Sequence, residues 1–181
     1  MNRFIPQRLF GRTVFVDTSP LILHFTGRSE ACAEFFSLSE QEWLKGVTSV
    51  RVLDEFLFKV MVLEAAERYG YTGRVHEKLR KDPKKVKELS DVLHDALQFV
   101  KAAKVRVEEV SPKDLDELPR IMEQYGVFGN DGITVRLMER FNMKYLFSTD
   151  SDFDRVEWIV RINPLHPPGL PLRLTDEGQN G

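Results

Sequence analysis

The sequence predicts a three-layer α/β/α fold on a mainly parallel five-stranded sheet, and three observations carry that expectation. Five short apolar or alternating runs are separated by longer stretches of helical periodicity along the chain, the order expected of βαβ units. The first and fourth runs are apolar at consecutive positions, as in strands covered on both faces. Ser19-Pro20 and Ser111-Pro112 each place a capping serine and a first-turn proline just after a strand-like run.

Val14-Phe15-Val16 is the first strand and ends at Asp17. The helix opened by Ser19-Pro20 runs through Leu21, Ile22, Leu23 and Phe25 and stops near Gly27. Helical stretches are expected over residues 29–38 and 41–45, followed by Gly46-Val47-Thr48-Ser49 as a short second strand. Residues 50–68 form a helix, because neither Gly nor Pro interrupts them and between Val52 and Leu63 only Asp54, Glu55 and Lys59 are polar. After a break at 69–73, residues 74–103 read as a short helix and a longer one restarted at Asp82-Pro83. Their charge density suggests a solvent-facing helical arm. Residues 105–110 alternate like a strand, and Ser111-Pro112 opens a helix that ends near Gly126. Gly129-Asn130-Asp131 precedes a helix with Ile133, Leu137, Met138 and Phe141 on one side. Tyr145-Leu146-Phe147-Ser148 is another buried strand, Asp150-Ser151-Asp152-Phe153 begins a turn, and Trp158-Ile159-Val160 is the last strand. One domain is expected over residues 1–163, with the Pro- and Gly-rich residues 164–181 as a tail outside the core.

With 181 residues, 42% of them apolar, the chain can build one full core. A net charge of -2 gives no overall basic field, so any affinity for nucleic acid has to come from local clusters of Lys and Arg. Cys32 is the only cysteine, which excludes an intramolecular disulfide and a cysteine-rich zinc site. Residues 1–12 lack a secretory signal and no stretch approaches about 18 apolar residues, so a cytoplasmic protein with no membrane contact is expected. His24, His76, His94 and His166 show no metal-ligand spacing, no nucleophilic triad can be assembled, and no Gly-rich phosphate loop follows a strand.

What remains is a set of carboxylates. Ligands of open α/β sheets gather beyond the carboxyl ends of the strands. Asp17 follows the first strand, Asp150 follows the fourth, Asp131 opens the helix before it, and Glu55 lies early in the helix after the second. Acids brought together raise one another's pKa, and a divalent cation relieves the repulsion. An oxygen-only set without His or Cys suits Mg²⁺ or Mn²⁺, which can activate a water for phosphodiester hydrolysis. Each acid also has a plainer reading. Asp17 could be a turn acid, Glu55 the i,i+4 partner of Lys59, Asn130 or Asp131 a helix cap, and Asp150 part of a solvated acidic turn with Asp152 and Asp154.

At these residues the sequence resembles the PIN-domain nuclease family, and within it the VapC-type toxins and their archaeal relatives. The resemblance rests on Val16-Asp17-Thr18-Ser19, on Ser49 standing six residues before Glu55, on Asn130-Asp131-Gly132-Ile133, and on Ser148-Thr149-Asp150-Ser151-Asp152-Phe153. It spans residues 14–160. It implies sheet order 3-2-1-4-5, Mg²⁺ or Mn²⁺ as cofactor, and single-stranded RNA as the substrate class. It also implies Asp17, Glu55, Asp131 and Asp150 as catalytic metal ligands, with Asp152 as a fifth candidate. Thr18, Ser19, Asn130 and Ser148 become supporting residues. Two departures stand out: Gly132 where relatives commonly carry Ala, and the extra length over 74–103 relative to VapC toxins.

For RNA, the basic stretch of Arg68, Arg74, Lys78, Arg80, Lys81, Lys84, Lys85 and Lys87 is the densest, but Arg51 and Arg155 lie nearer the predicted site and are the chosen phosphate contacts. The resemblance further implies a homodimer and admits an antitoxin partner. Phe35, Phe36, Leu38 and Trp43 could supply a dimer surface or could be ordinary core. Two rival functions remain: a metal-dependent phosphohydrolase using Asp17 as nucleophile, and a non-catalytic module of the same fold that binds RNA or a protein partner.

Overall fold

Thr13–Val16 forms β1, the central strand of a five-stranded parallel sheet in this computed structural model, which describes residues 4–166. The other strands are β2 (Lys45–Ser49), β3 (Arg106–Glu108), β4 (Tyr145–Phe147) and β5 (Val160–Ile162), in the order β3-β2-β1-β4-β5. This is the expected 3-2-1-4-5 sheet, and every neighbouring pair is parallel. Register fixes where the site lies. Val16 is paired with Phe147, so Asp17 and Ser148 leave the sheet side by side at its carboxyl edge.

Between β1 and β2 lie α1 (Thr18–Phe25) and α2 (Glu30–Glu40). Between β2 and β3 come α3 (Val50–Tyr69), α4 (Val75–Arg80), α5 (Pro83–Glu88) and α6 (Ser90–Ala102). The crossover to β4 carries α7 (Pro112–Asp116), α8 (Leu118–Tyr125) and α9 (Gly129–Arg140), and a 3-10 turn, Ser151–Arg155, precedes β5. Contacts run α1 to α2, α1 to α3 and α3 to α6 in one group, and among α7, α8 and α9 in the other. The sheet lies between them, with Val14, Phe15, Val16, Leu146 and Phe147 fully buried.

Several expectations are corrected. The first helix starts at Thr18 rather than at Pro20, because the Ser19 hydroxyl does not cap it but accepts from the Thr149 amide at 3.1 Å. Residues 41–45 are not a helix: Glu42 takes a left-handed φ of 63°, the chain reverses, and Lys45 already belongs to β2. The helix expected over 111–126 is divided at Glu117, where Pro119 allows a second first turn but not an unbroken helix. The last strand begins at Val160. Trp158 precedes it, its indole donating to the Tyr125 hydroxyl at 3.1 Å.

The 74–103 region is three helices and is not an arm: Val75, Leu79 and Leu89 are buried in the core, and α4 packs on α3. On α6, Val92, Ala96 and Val100 are buried one or two turns apart, a helical stripe that packs on α3. Phe99, partly buried beside them, meets the rings of His24, Phe36 and Phe56 at 4.6, 5.0 and 6.3 Å. The dimer surface drawn from α2 also turns inward. Phe35 stacks on Phe147 at 4.4 Å, Phe36 is 2% exposed and Leu38 packs against the core, which leaves Trp43 alone exposed. His76, His94 and His166 are exposed, and the His24 ring packs on Phe36 and Phe99. The tail assigned to 164–181 lies outside the described residues apart from Pro164, Leu165 and His166. Among the described residues no helix is long and apolar enough to cross a membrane.

Candidate active site

The carboxyl edge of the sheet gathers the predicted acids. Asp17 sits just beyond β1, where its backbone amide donates to Phe147 O at 3.1 Å. Its Oδ2 accepts from the Ser148 hydroxyl at 2.6 Å, and the same hydroxyl oxygen accepts from the Asp150 amide at 3.0 Å. One serine thus couples the ends of β1 and β4 and fixes the start of the Asp150 turn. Burial pushes the Asp17 carboxyl above its ordinary range despite the Ser148 and Thr18 hydrogen bonds, and the charges of Glu55 and Asp150 push the same way. Those two acids are therefore close enough to be felt.

Glu55 lies on α3, six residues past Ser49, which caps that helix by accepting from Val52 N at 3.2 Å. Its carboxylate pairs with Lys59 at 2.5 Å and accepts from Asn130 Nδ2 at 2.6 Å. Burial disfavours its charge, but the Lys59 and Asn130 hydrogen bonds outweigh burial and hold the pKa below the ordinary value. The i,i+4 pair with Lys59 is formed, and it coexists with membership of the cluster. Thr18 is 4% exposed; its hydroxyl lies toward Glu55, completes no hydrogen bond and is left as a buried polar oxygen facing the acids.

Asp131 lies in the first turn of α9 and is the acid on which the others converge. Its pKa rises to about 6, from burial first, and then from the charges of Asp150, Asp17, Asp152 and Glu55. Asp150 caps the 3-10 turn by accepting from Asp152 N at 2.8 Å. Asp152 turns its own carboxylate to Arg155 at 3.0 Å and is the most weakly placed of the five. As the side chains stand, no three of His, Cys, Asp or Glu among the described residues form a ready ligand group, because Ser148, Lys59, Asn130 and Arg155 hold oxygens that an ion would need.

The supporting residues are placed as follows. Ser19 bonds the Thr149 amide, Ser148 joins Asp17 to Asp150, and Asn130 bridges helices. Asn130 donates to Glu55 and accepts from Arg51 at 3.0 and 3.2 Å, so α3 and α9 are tied beside the acids. Arg51 also pairs with Asp54, and Arg155 donates to Gly126 O at 3.2 Å. The basic stretch is engaged elsewhere: Arg68 with Glu64 and Asp91, and Lys85 over the rings of Tyr69 and Tyr71.

Two residues escaped the sequence reading. Arg161, on β5, donates to Ser148 O at 3.3 Å and grips Asp154 through two nitrogens at 2.7 and 2.6 Å. A cation in the middle of a short sheet strand was the available signal. Asp114, 1% exposed, completes a capping box with Ser111 and pairs with Arg140 at 2.7 Å and Arg136 at 3.3 Å, which locks α7 to α9.

No curated protein matches the sequence. Among solved structures, the chain is similar to VapBC2 from Rickettsia felis bound to a promoter DNA fragment. The TM-score is 0.54 at 15% identity, over 83% of this chain and 98% of that one. It is likewise similar to VapC20 of Mycobacterium tuberculosis, described as a Sarcin-Ricin loop cleaving toxin, with TM-score 0.52 at 16% identity over 79% and 94% of the two chains. At such identity the likeness concerns the fold. A family model described as PIN domain matches residues 14–159, from the start of β1 to the threshold of β5. With that span, its sheet order and its acids at the carboxyl edge, this chain belongs to the PIN domain family.

Proposed function

We propose that this chain is a divalent-metal-dependent endoribonuclease that cleaves single-stranded RNA, with Asp17, Glu55, Asp131 and Asp150 as its metal-binding acids. The observation that carries the reading is Asp131, whose proton is held up to about pH 6 by burial and by four surrounding carboxylates. Acids so mutually unfavourable persist where a cation compensates them. The donor set fits a hard cation, since it is all oxygen, and the buried Thr18 hydroxyl adds a neutral oxygen facing Glu55.

A bound Mg²⁺ or Mn²⁺ would supply the charge that neutralises the cluster and would acidify a water for attack on phosphorus. The protein's own part is positioning. Ser148 orients Asp17 and the turn that carries Asp150, Asn130 orients Glu55, and Arg161 steadies the Ser148 carbonyl. Asp131 must give up its proton before it can bind a cation, so at metal concentrations below the dissociation constant activity should rise with pH through about 6, and saturating metal should move that rise to lower pH. Asp152, Arg51 and Arg155 belong to the surroundings of this site, the two arginines as its phosphate contacts.

The same reading takes the chain as a toxin of VapC type, cytoplasmic and with an antitoxin partner; one similar structure is described as a Sarcin-Ricin loop cleaving toxin. A homodimer is part of it, with Trp43, 55% exposed, as its apolar contact. The test is incubation of the purified chain with single-stranded RNAs in Mg²⁺, Mn²⁺ or EDTA. Cleavage should require the metal and fall at least about 100-fold in Asp131→Asn, more than the loss typical of an outer-shell partner. Cleavage that persists in EDTA or in the variant would refute the assignment.

A further inference from the structure

The loop that delivers Asn130 and Asp131 carries at its apex a residue that fits neither a helix cap nor a core. Phe128 occupies the N-cap of α9, where Ser, Thr, Asp or Asn would supply an oxygen, and no side-chain bond caps this helix. It is 67% exposed, the largest exposure among the large hydrophobic side chains described. A single ring departing from local sequence rules beside a reactive cluster is the kind of exception that function explains.

The backbone around it is held on every side. Gly126, at φ 67°, ends α8, and its carbonyl accepts from Arg155. Val127 is 2% exposed and anchors the loop in the core. Gly129, at φ 60°, turns the chain into α9, and Asn130 is fixed by Arg51 from one side and Glu55 from below. Phe128 therefore projects from a preorganised loop, one helical turn ahead of Asp131, with its carbonyl accepting from Gly132 N at 3.4 Å. Arg51 and Arg155, with side chains 48% and 54% exposed, brace this loop from opposite ends while pairing with the exposed carboxylates of Asp54 and Asp152, surface pairs that a phosphate can replace at little cost.

We infer that Phe128 is a base-stacking platform of the RNA site, with Arg51 and Arg155 flanking it as contacts for the adjoining phosphates. This rests on the ribonuclease reading and names how the substrate strand is held there. Single-stranded RNA is bound through unstacked bases on aromatic faces together with cationic contacts to the backbone, and one ring with two neighbouring arginines meets that requirement. A protein partner would need a contiguous apolar patch, whereas the loop that carries Phe128 consists otherwise of Gly126, buried Val127, Gly129 and Asn130 and is braced by two arginines. Stacking is tolerant of base identity, so this platform would set the position of the strand rather than its sequence.

The test uses 5′-fluorescein single-stranded RNA dodecamers with Ca²⁺ in place of Mg²⁺, with binding read by anisotropy and cleavage then measured in Mg²⁺. Phe128→Ala and Phe128→Leu should each weaken binding about tenfold and raise KM with kcat little changed, whereas Phe128→Trp retains both. Replacing bases by abasic sites one at a time should reveal one position at which wild type falls to the level of Phe128→Ala, and the two proteins then bind alike. Because the ring is exposed, the thermal midpoint of every variant should match wild type, which excludes misfolding as the cause. If wild type binds and cleaves but Phe128→Ala does both equally well, or Phe128→Leu retains the affinity of Phe128→Trp, the stacking platform is wrong and the nuclease reading survives. If wild type neither binds nor cleaves any of the RNAs, both are wrong.

Discussion

Asp131 shows how a single side chain reports the character of the whole site. Its folded pKa of about 6 lies above the ordinary 3.8, so the native state binds its proton more tightly than the unfolded chain does. The stabilisation from that proton is complete below about pH 4 and is lost as pH rises through 6. Metal-free Asp131→Asn should therefore match wild type near pH 4. At pH 7 it should be more stable, by on the order of 2 kcal/mol once solvent screening of a partly exposed group is discounted, as read by chemical denaturation at both pH values. An equal effect at both would show that the acid is not crowded. Ser148, fully buried between two acids, makes the opposite prediction. Ser148→Ala removes the donor to Asp17 and strands the Asp150 amide, which should cost about 1 to 3 kcal/mol at neutral pH and lower cleavage without abolishing it. The acids themselves were legible in the chain because strand ends and helix starts are local signals. Asn130 to Glu55 spans 75 residues and Ser148 to Asp17 spans 131, and no local pattern gives pairings at that separation.

At the scale of elements, strands and long helices were legible where apolar residues recur with one period, as in β1, β4 and α3. Reading failed where charge hides a buried stripe. Residues 90–102 are dense in polar groups, yet Val92, Ala96 and Val100 share one face and close the core over α3, while the flanking charges point outward. Ala96→Asp places an unpaired carboxylate on that face and should leave the chain unfolded or largely insoluble, whereas Lys87→Asp, on the exposed side of α5, should change the thermal midpoint little. Circular dichroism melts of the two variants separate the buried face of α6 from the exposed side of α5. Asp114 makes a comparable case for α7. Its carboxylate is the common partner of Arg136, Arg140 and the Ser111 cap, so Asp114→Ala should cost about 1 to 3 kcal/mol by leaving Arg140 without a counter-charge and Arg136 with only Glu139 at 3.9 Å. Sequence alone could not reveal this, because Asp114 reads there as an ordinary first-turn acid.

For the whole molecule, parallel pairing puts every strand's carboxyl end on one side. Four segments that lie far apart in the chain deliver acids to one place as a consequence of topology, not of local preference. The sheet thus carries a built-in repulsion at its carboxyl edge, and the core of Phe15, Phe35, Phe56 and Phe147 must hold against it. A cation that binds only the folded chain reverses the balance. At a Mg²⁺ concentration about 100 times its dissociation constant, mass action adds about 2.7 kcal/mol of stability, which for a domain of this size is a rise of about 5 to 10 °C in the unfolding midpoint. Because Asp131 must lose its proton to bind, the rise should be large at pH 7.5 and should shrink toward pH 5. Asp131→Asn should abolish it at both pH values while raising the metal-free midpoint. Differential scanning calorimetry of the two proteins with Mg²⁺ and with EDTA measures all four quantities. A midpoint that ignores Mg²⁺ in wild type at pH 7.5 would mean that the acids tolerate one another through Lys59, Arg155 and Arg161 alone, and that this carboxylate cluster is not a metal site.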